Sequence, residues 1–318
     1  MTPLFITAFF DGRLGHEKQT KGILQALSGL TPVRIQTLRH PASGFRNGFQ
    51  DWRLFLQSRI VSVRKEEGQP QSDLIIGTGS RIHIPMVLYK EQYGGRLVTC
   101  MTPDPIFRRR MDLCFIPRHD NPRPAGNIFV TIGPPNTAMR QDRHDSRKGL
   151  ILVGGIDHKS HRWDSARLMI QIRHLTAAEN FGSWTISSSP RTPPEMLRLL
   201  TAFAAETPRI VFVESKDTPD GWIEDAYAAH ESVWVTADSI SMIYEALTAG
   251  CHVGILPVLW KRMENKFQQS LAYLVEQGLA TTFEDWSAGR PLSAPRPPLD
   301  EASRCAREIL ARWWPERL

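Results

Sequence analysis

Residues 232–256, SVWVTADSISMIYEALTAGCHVGIL, constrain this chain more than any other stretch. Residues 233–236 read as a buried strand, Ala237-Asp238-Ser239 as a turn, the run up to Gly250 as a helix, and residues 252–256 as a second apolar strand. Asp238 or Ser239 suits the N-cap, and Gly250 suits the left-handed position after the last turn. A helix opening at the carboxyl end of a parallel strand presents unpaired N–H groups and the positive end of its dipole, so an anion such as a phosphate can dock there. Helical spacing predicts that Asp238, Ser241 and Glu245 share a face, with a hydroxyl in the first turn and a carboxylate one turn deeper. Such a carboxylate can accept from ribose hydroxyls while the helix start holds phosphates.

The rest of the chain repeats the theme. PLFITAFF, residues 3–10, is a short strand that runs into Asp11-Gly12-Arg13-Leu14-Gly15-His16 and then a helical pattern through Leu27. Two glycines there allow a tight turn and close approach of a ligand. The loop has neither P-loop nor dinucleotide-fingerprint spacing. Residues 33–38 read as a strand, 52–63 as a helix and 73–76 as a strand entering Gly77-Thr78-Gly79-Ser80-Arg81. Strands at 96–101, 113–117 and 127–132 lead into loops containing Asp104, His119-Asp120 and Gly133. Strands that end successively in polar or glycine loops predict a doubly wound α/β domain with one functional edge.

Residues 139–148, MRQDRHDSRK, have the composition of an interdomain linker. A second α/β series follows: a strand at 149–153 ending in Gly154-Gly155, a helix at 165–176, a strand at 184–187 ending in SSPRTP, a helix at 195–205 and a strand at 210–213. Lys261, Asn265 and Lys266 head a helix running to Gln277, and past a Pro-rich strap residues 301–314 form an amphipathic helix. The expected architecture is two Rossmann-like doubly wound domains facing a central cleft: residues 1–140, residues 149–290, and a closing helix at 299–318 that packs back on the first domain.

A chain of 318 residues is long enough for two such cores. Its formal charge of +6 favours anionic partners, but it has no RNA- or DNA-binding signature, so nucleic acid is not expected. Cys100, Cys114, Cys251 and Cys305 lie far apart, which predicts reduced, mostly buried thiols of a cytoplasmic protein. The sequence starts straight into a strand with no charged n-region, so no signal peptide is expected, and no apolar run reaches membrane-spanning length. Membrane contact is therefore expected to be peripheral, on the inner face of the cytoplasmic membrane. Trp260-Lys261-Arg262 and Arg312-Trp313-Trp314 are the candidates for it, packing of the closing helix being the competing expectation for the tryptophans.

The set DGRLGHEKQTKGILQAL, IIGTGSR, PRHD, the GG strand end followed by HRWD, SSSPRTP and VTADSISMIYEA resembles the mitochondrial-fission-protein-like family, whose bacterial members are taken as glycosyltransferases of the GT-B type. The resemblance spans roughly residues 5–256, and TADSISMIYEA is its most specific piece. It implies a nucleotide-diphosphate sugar as donor and co-substrate, with no resident cofactor, held mainly by the second half. Ser239, Ile240 and Ser241 would meet the donor phosphates and Glu245 the ribose, Thr236 and Asp238 would belong to the same nucleotide-sugar site, and Gly154, Gly155, Ser189 and Arg191 would line the same cleft. Arg191 is the natural cation for the departing diphosphate, since a guanidinium contacts two phosphate oxygens at once. The family's serine stretch often reads Ser-Arg-Arg-Thr-Pro; here one arginine is missing, with Lys159, Arg162 and Lys261 as substitutes.

Acceptor deprotonation would fall to the first half, with Asp11 and His16 as catalytic candidates and Gly12, Arg13, Gly15, Thr78, Gly79, Ser80, Asp104, His119 and Asp120 on the acceptor or cleft side. No Asp-x-Asp pair and no metal-ligand spacing occurs, so a metal-independent transfer is expected. The expected acceptor is a hydroxyl of an envelope glycan or a lipid-linked acceptor. The competing reading is a non-catalytic nucleotide-binding or protein-interaction module on the same scaffold. A dinucleotide-dependent oxidoreductase is disfavoured, because neither glycine-rich loop has the fingerprint spacing.

Overall fold

The structure, a computed structural model, describes residues 1–39, 71–140, 143–178, 181–262, 265–292 and 299–318. The helix expected at 52–63 and most of the Pro-rich strap lie outside these residues. The chain divides into two compact units, Met1–Thr137 with Asp300–Leu318, and Ala138–Leu299.

In the first unit, strands β1 (Leu4–Phe10), β2 (Val33–Arg39), β3 (Leu74–Gly77), β4 (Arg96–Thr99), β5 (Leu113–Pro117) and β6 (Ile128–Thr131) form one parallel sheet in the order β2-β1-β3-β4-β5-β6. The period of two along each strand sorts its side chains onto two faces. Leu4, Ile6, Ala8 and Phe10 of β1 join Leu74 and Ile76 of β3 in a core under helix α1 (Leu14–Leu30). Phe9 and Ile75 point the other way and pack with Met86 and Val87 of helix α2 (His83–Tyr93). A short helix α3 (Pro105–Arg108) follows β4. The C-terminal helix closes the first core with Cys305, Ala306, Ile309 and Leu310, and Trp313 and Trp314 pack against that core. This is the packing expected as the competing reading for these two tryptophans.

The second unit opens with β7 (Asp145–Leu152), which corrects the linker reading: residues 145–148 are the first half of a strand paired with His230 and Ser183. A two-residue strand β8 (His161–Arg162) precedes helix α4 (Ser165–Ala178). Then come β9 (Ser183–Ser187), α5 (Pro194–Glu206), β10 (Ile210–Val213), α6 (Trp222–Ala229), β11 (His230–Thr236), α7 (Ile240–Thr248), β12 (His252–Leu256), β13 (Leu259–Trp260), α8 (Lys266–Glu276), β14 (Thr281–Thr282) and α9 (Phe283–Ser287). The helix of the first unit, Glu301–Trp313, is α10. The main sheet is parallel in the order β10-β9-β7-β11-β12-β14, the Rossmann arrangement, while β8 and β13 pair antiparallel by themselves. Ile151, Trp184, Ile186 and Trp234 pack on one face with Leu168, Ile172, Met196 and Leu200 of α4 and α5.

In each unit the strand order reverses once, between β1 and β3 in the first and between β7 and β11 in the second. Ligands of open α/β sheets bind outside the carboxyl ends of the strands at such a reversal. The loops there are 11–13 and 78–80 in the first unit, and 153–160 and 237–239 in the second.

Candidate functional site

The second unit's reversal is a knot of mutually bonded loops. Gly154 donates its N–H to Thr236 Oγ1 at 2.8 Å, and Gly155 donates to Asp238 Oδ2 at 3.0 Å. Neither glycine could carry a side chain. A Cβ on Gly154 would stand 2.3 Å from Asp238 Oδ2 and 2.4 Å from Ser239 Oγ, and one on Gly155 would stand 2.0 Å from the Arg191 carbonyl oxygen. These glycines therefore serve the close approach of three protein loops. The third loop, after β9, is held by Thr192, which accepts the Ser189 N–H at 2.8 Å and directs its hydroxyl at the carbonyls of Val153 and Gly154. Ser189 is buried and accepts the Arg191 N–H at 3.2 Å, so it shapes the turn. Thr192 was not singled out from the sequence; only its place between Arg191 and Pro193 in the serine-proline turn hinted at it.

Arg191 reaches back across this knot. Its Nη2 donates to Asp238 Oδ2 at 2.9 Å and its Nη1 to the Gly155 carbonyl at 3.3 Å. The guanidinium side chain is 44% exposed whereas the Asp238 side chain is 1% exposed. Asp238 is accordingly not on the face of α7, as the helical spacing predicted; it precedes the N-cap Ser239 and folds back onto Gly155 and Arg191. Ser239 donates to Asp238 Oδ2 at 3.3 Å and makes no cap bond to α7. Among the described residues the first turn of α7 thus starts with no side-chain acceptor for its N–H groups, which by helix geometry have no partner inside the helix. Ile240 is buried and Ser241 is exposed at this start. Glu245, one turn on, is buried rather than solvated, and its charge adds to the burial that raises the Tyr227 phenol well above its ordinary pKa. At the other end of α7, Gly250 takes φ +88°, the left-handed conformation expected after the last turn.

Of the substitute cations, Lys159 and Arg162 are exposed, and Lys261 does not head α8: its Nζ donates to the His158 carbonyl. The helix start belongs to Asn265, which forms a capping box with Gln268.

The first unit's reversal holds a second cluster. Asp11, at the carboxyl end of β1, is 3% exposed and accepts from His16 Nδ1 at 2.8 Å and from the Arg13 N–H at 3.1 Å. That bond gives Nδ1 the proton and leaves Nε2 as the basic lone pair of the imidazole. Gly79, from the loop after β3, lies against the pair: a Cβ there would stand 2.5 Å from Asp11 Oδ2 and 2.8 Å from His16 Nδ1. Its φ of +128° is open only to glycine in practice. Gly12, at φ +79°, and Gly15 have open space beside them. Thr78 is buried and bonded to Thr20 at 2.9 Å, and Ser80 is exposed. Asp104 is exposed at the start of α3. His119 and Asp120 form their own pair, at 3.8 Å, with Thr102 donating to Asp120.

His83, which the sequence did not flag, is fully buried at the start of α2. Burial pulls its pKa down to about 4; the charge of Asp104 opposes that shift and the charge of His16 reinforces it. Its Nε2 lies 3.3 Å from Thr99 Oγ1, and its Nδ1 has no partner among the described residues. The four cysteines are free and buried, with burial raising Cys100, Cys114 and Cys251 to about 12. Among the described residues no group of three or more His, Cys, Asp or Glu side chains could hold a metal ion. No described helix is long and apolar enough to cross a membrane.

Two Rossmann-like units of parallel sheet, each with a loop cluster at its reversal, define an α/β protein of the GT-B type. The chain belongs to the mitochondrial fission ELM1 family, whose model matches residues 14–313. It is 33% identical over 150 residues to the mitochondrial fission protein ELM1 of Arabidopsis thaliana, a match covering 44% of this chain and 33% of the plant protein. The chain therefore spans about a third of that curated relative's length. Among solved structures, the fold is similar to the UDP-GlcNAc 2-epimerase of Methanocaldococcus jannaschii, with a TM-score of 0.58 at 12% identity over 98% of this chain and 100% of that one. It is also similar to a UDP-glucosyltransferase of Polygonum tinctorium, with a TM-score of 0.54 at 11% identity over 97% of this chain and 95% of that one.

Proposed function

We propose that this chain is a glycosyltransferase that moves a sugar from a nucleotide-diphosphate sugar to a hydroxyl of an envelope glycan or lipid-linked acceptor. The observation that carries the reading is the start of α7: no side chain among the described residues caps it, it sits at the sheet's reversal, and Arg191 lies beside it. That arrangement suits a diphosphate, which the helix N–H groups and a guanidinium together would neutralise. The names of the two structural neighbours, both enzymes of UDP-sugars, support a nucleotide-sugar donor.

In this reading the exposed Ser241 and the first-turn N–H groups hold the phosphates, and Glu245 accepts from the ribose. Arg191 keeps donors for the ligand, since its Nε is not among the atoms bonded to Gly155, Asp238 and Ser239. His16 Nε2 takes the proton of the acceptor hydroxyl while Asp11 fixes the tautomer through Nδ1. The acceptor oxygen bonds to the anomeric carbon, the bond from that carbon to the diphosphate breaks, and the developing charge is met by Arg191 and the α7 dipole.

The test is release of nucleoside diphosphate from a panel of nucleotide sugars with extract-derived acceptors, comparing wild type with His16→Ala and Arg191→Ala. Turnover that depends on both residues is expected. The family name and the plant relative favour one other reading, a non-catalytic module that binds a nucleotide and acts through protein partners. Nucleotide binding without turnover, together with cells that tolerate Asp11→Ala and Glu245→Ala, would select it.

A further inference from the structure

We infer that the buried Thr20–Thr78 hydrogen bond is the positioning device of the first unit's site: it holds the opening turns of α1 so that His16 Nδ1 stays on Asp11. The inference rests on the reading of that pair as the acceptor-side base, and Thr20 and Thr78 act through His16 without touching substrate.

The opening of α1 has little else to hold it. Among the described residues no side chain caps its N-terminus, and Leu14, its first residue, is exposed. Its buried apolar side chains begin only at Ile23, followed by Leu24 and Leu27. The first two turns bury two polar side chains instead, Glu17 and Thr20, and each reaches a different neighbour of β1. Glu17 accepts from Arg39, at the end of β2, at 3.1 Å and from Lys21 at 3.2 Å. Those cations are 67% and 49% exposed, so solvent screens both pairs and they hold the helix loosely. Thr20 Oγ1 lies 2.9 Å from Thr78 Oγ1, after β3, and the two residues are 0% and 2% exposed. Hydroxyls shielded from water cannot exchange this bond for one to solvent, so breaking it strands polar groups in the interior. Thr20 lies one helical turn after His16 and therefore on the same side of α1. Thr78 immediately precedes Gly79, which lies against both Asp11 Oδ2 and His16 Nδ1. The bond thus joins the helix that carries the imidazole to the loop that walls it, and a roll of α1 that draws Nδ1 off Asp11 pulls on it directly.

The experiment uses the full chain in two measurements. NMR of the imidazole nitrogens reads the tautomer of His16, whose signals are identified by their loss in His16→Gln. Steady-state kinetics reads kcat and KM with the nucleotide sugar that the wild type turns over. Wild type should hold His16 as the Nδ1–H tautomer. Thr78→Val keeps the shape but not the hydroxyl, and it should mix the two tautomers and lower kcat by about tenfold or more with the donor KM unchanged. Thr20→Val should do the same, and the double variant should lose no more than either alone, because a single bond is removed in all three. Thr78→Ser, which keeps the hydroxyl, should restore both tautomer and rate. The control is Thr7→Val, which breaks a like buried bond, from Thr7 to Ser72 at 2.6 Å, at the other end of β3. It should lose stability in thermal unfolding as Thr78→Val does, yet keep the tautomer and kcat. An unchanged His16 tautomer in the valine variants overturns the inference, as do additive losses in the double variant or an equal loss of kcat in Thr7→Val. Should one valine variant fail to fold, the other decides. If no sugar is ever turned over while the tautomer still depends on Thr20 and Thr78, the transfer reading fails and the positioning role stands.

Discussion

Arg191 Nη2 lies 2.9 Å from Asp238 Oδ2, the oxygen that also accepts the Gly155 N–H at 3.0 Å. One buried carboxylate oxygen therefore fixes both the backbone of one loop and the charged tip of another. Because the guanidinium is 44% exposed, the ion pair alone contributes less than about 1 kcal/mol. Losing the acceptor of a buried N–H costs more, roughly 1–3 kcal/mol. Asp238→Ala should thus lower stability by a few kcal/mol in urea denaturation and weaken nucleoside diphosphate binding in titration, whereas Arg191→Ala should weaken binding with little change in the urea midpoint. Equal stability losses in the two variants would contradict this division of roles.

Gly155→Ala and Gly154→Ala should differ. The first places a methyl 2.0 Å from backbone, which cannot move alone, and the second places one against the side-chain ends of Asp238 and Ser239. We expect about 3 kcal/mol or more for Gly155→Ala and about 1–2 kcal/mol for Gly154→Ala, read as shifts of the urea midpoint. The reverse order would mean that the loops are not held as described.

His16→Ala should reduce sugar transfer by about 10²–10⁴-fold with donor affinity unchanged, as loss of a general base does. Asp11→Asn should fall in the same range, because an amide no longer holds Nδ1–H as a carboxylate does. Gly79→Ala should follow, since its methyl would push into both members of the pair. Steady-state kinetics over the three variants checks the set, and full activity in Gly79→Ala would separate the pair from the chemistry.

His83 predicts a pH effect on stability. Its folded pKa, about 4, lies below the ordinary value of 6.5, so the unfolded chain binds more protons between those values and stability rises with pH. The contribution is complete above pH 6.5 and is lost as pH falls toward 4, to the order of 3 kcal/mol. The stability difference between pH 7 and pH 5 should shrink in His83→Gln. An unchanged difference would place the acid sensitivity elsewhere.

Much of this was legible in sequence. Strands β5, β10 and β12 begin and end where the sequence runs do, and β5 is buried along its whole length, as a parallel strand covered on both faces must be apolar throughout. Gly250 ends its helix as a glycine at that position should. What escaped was set by tertiary contacts. Asp145–Lys148 looked like linker because it is polar, yet pairing with His230 and Ser183 makes it strand. Asp238 looked like a helix-face residue, and no spacing rule could reveal that Arg191, forty-seven positions away, would claim it. The same holds for Thr192, whose partners Val153 and Gly154 lie about forty positions upstream. Of the sequence-selected groups, Asp11, His16 and Gly79 come together, while His119 and Asp120 form a separate pair.

The helix α10 gives the first unit a core built from both ends of the chain, with Ile309 and Leu310 lying among residues of β1 and α1. A ribosome making this protein would therefore release the second unit, which is continuous in sequence, before the earlier one could finish its interior. The half translated first is the half completed last, and it would wait for residues 300–318 with a hydrophobic flank open to chaperones.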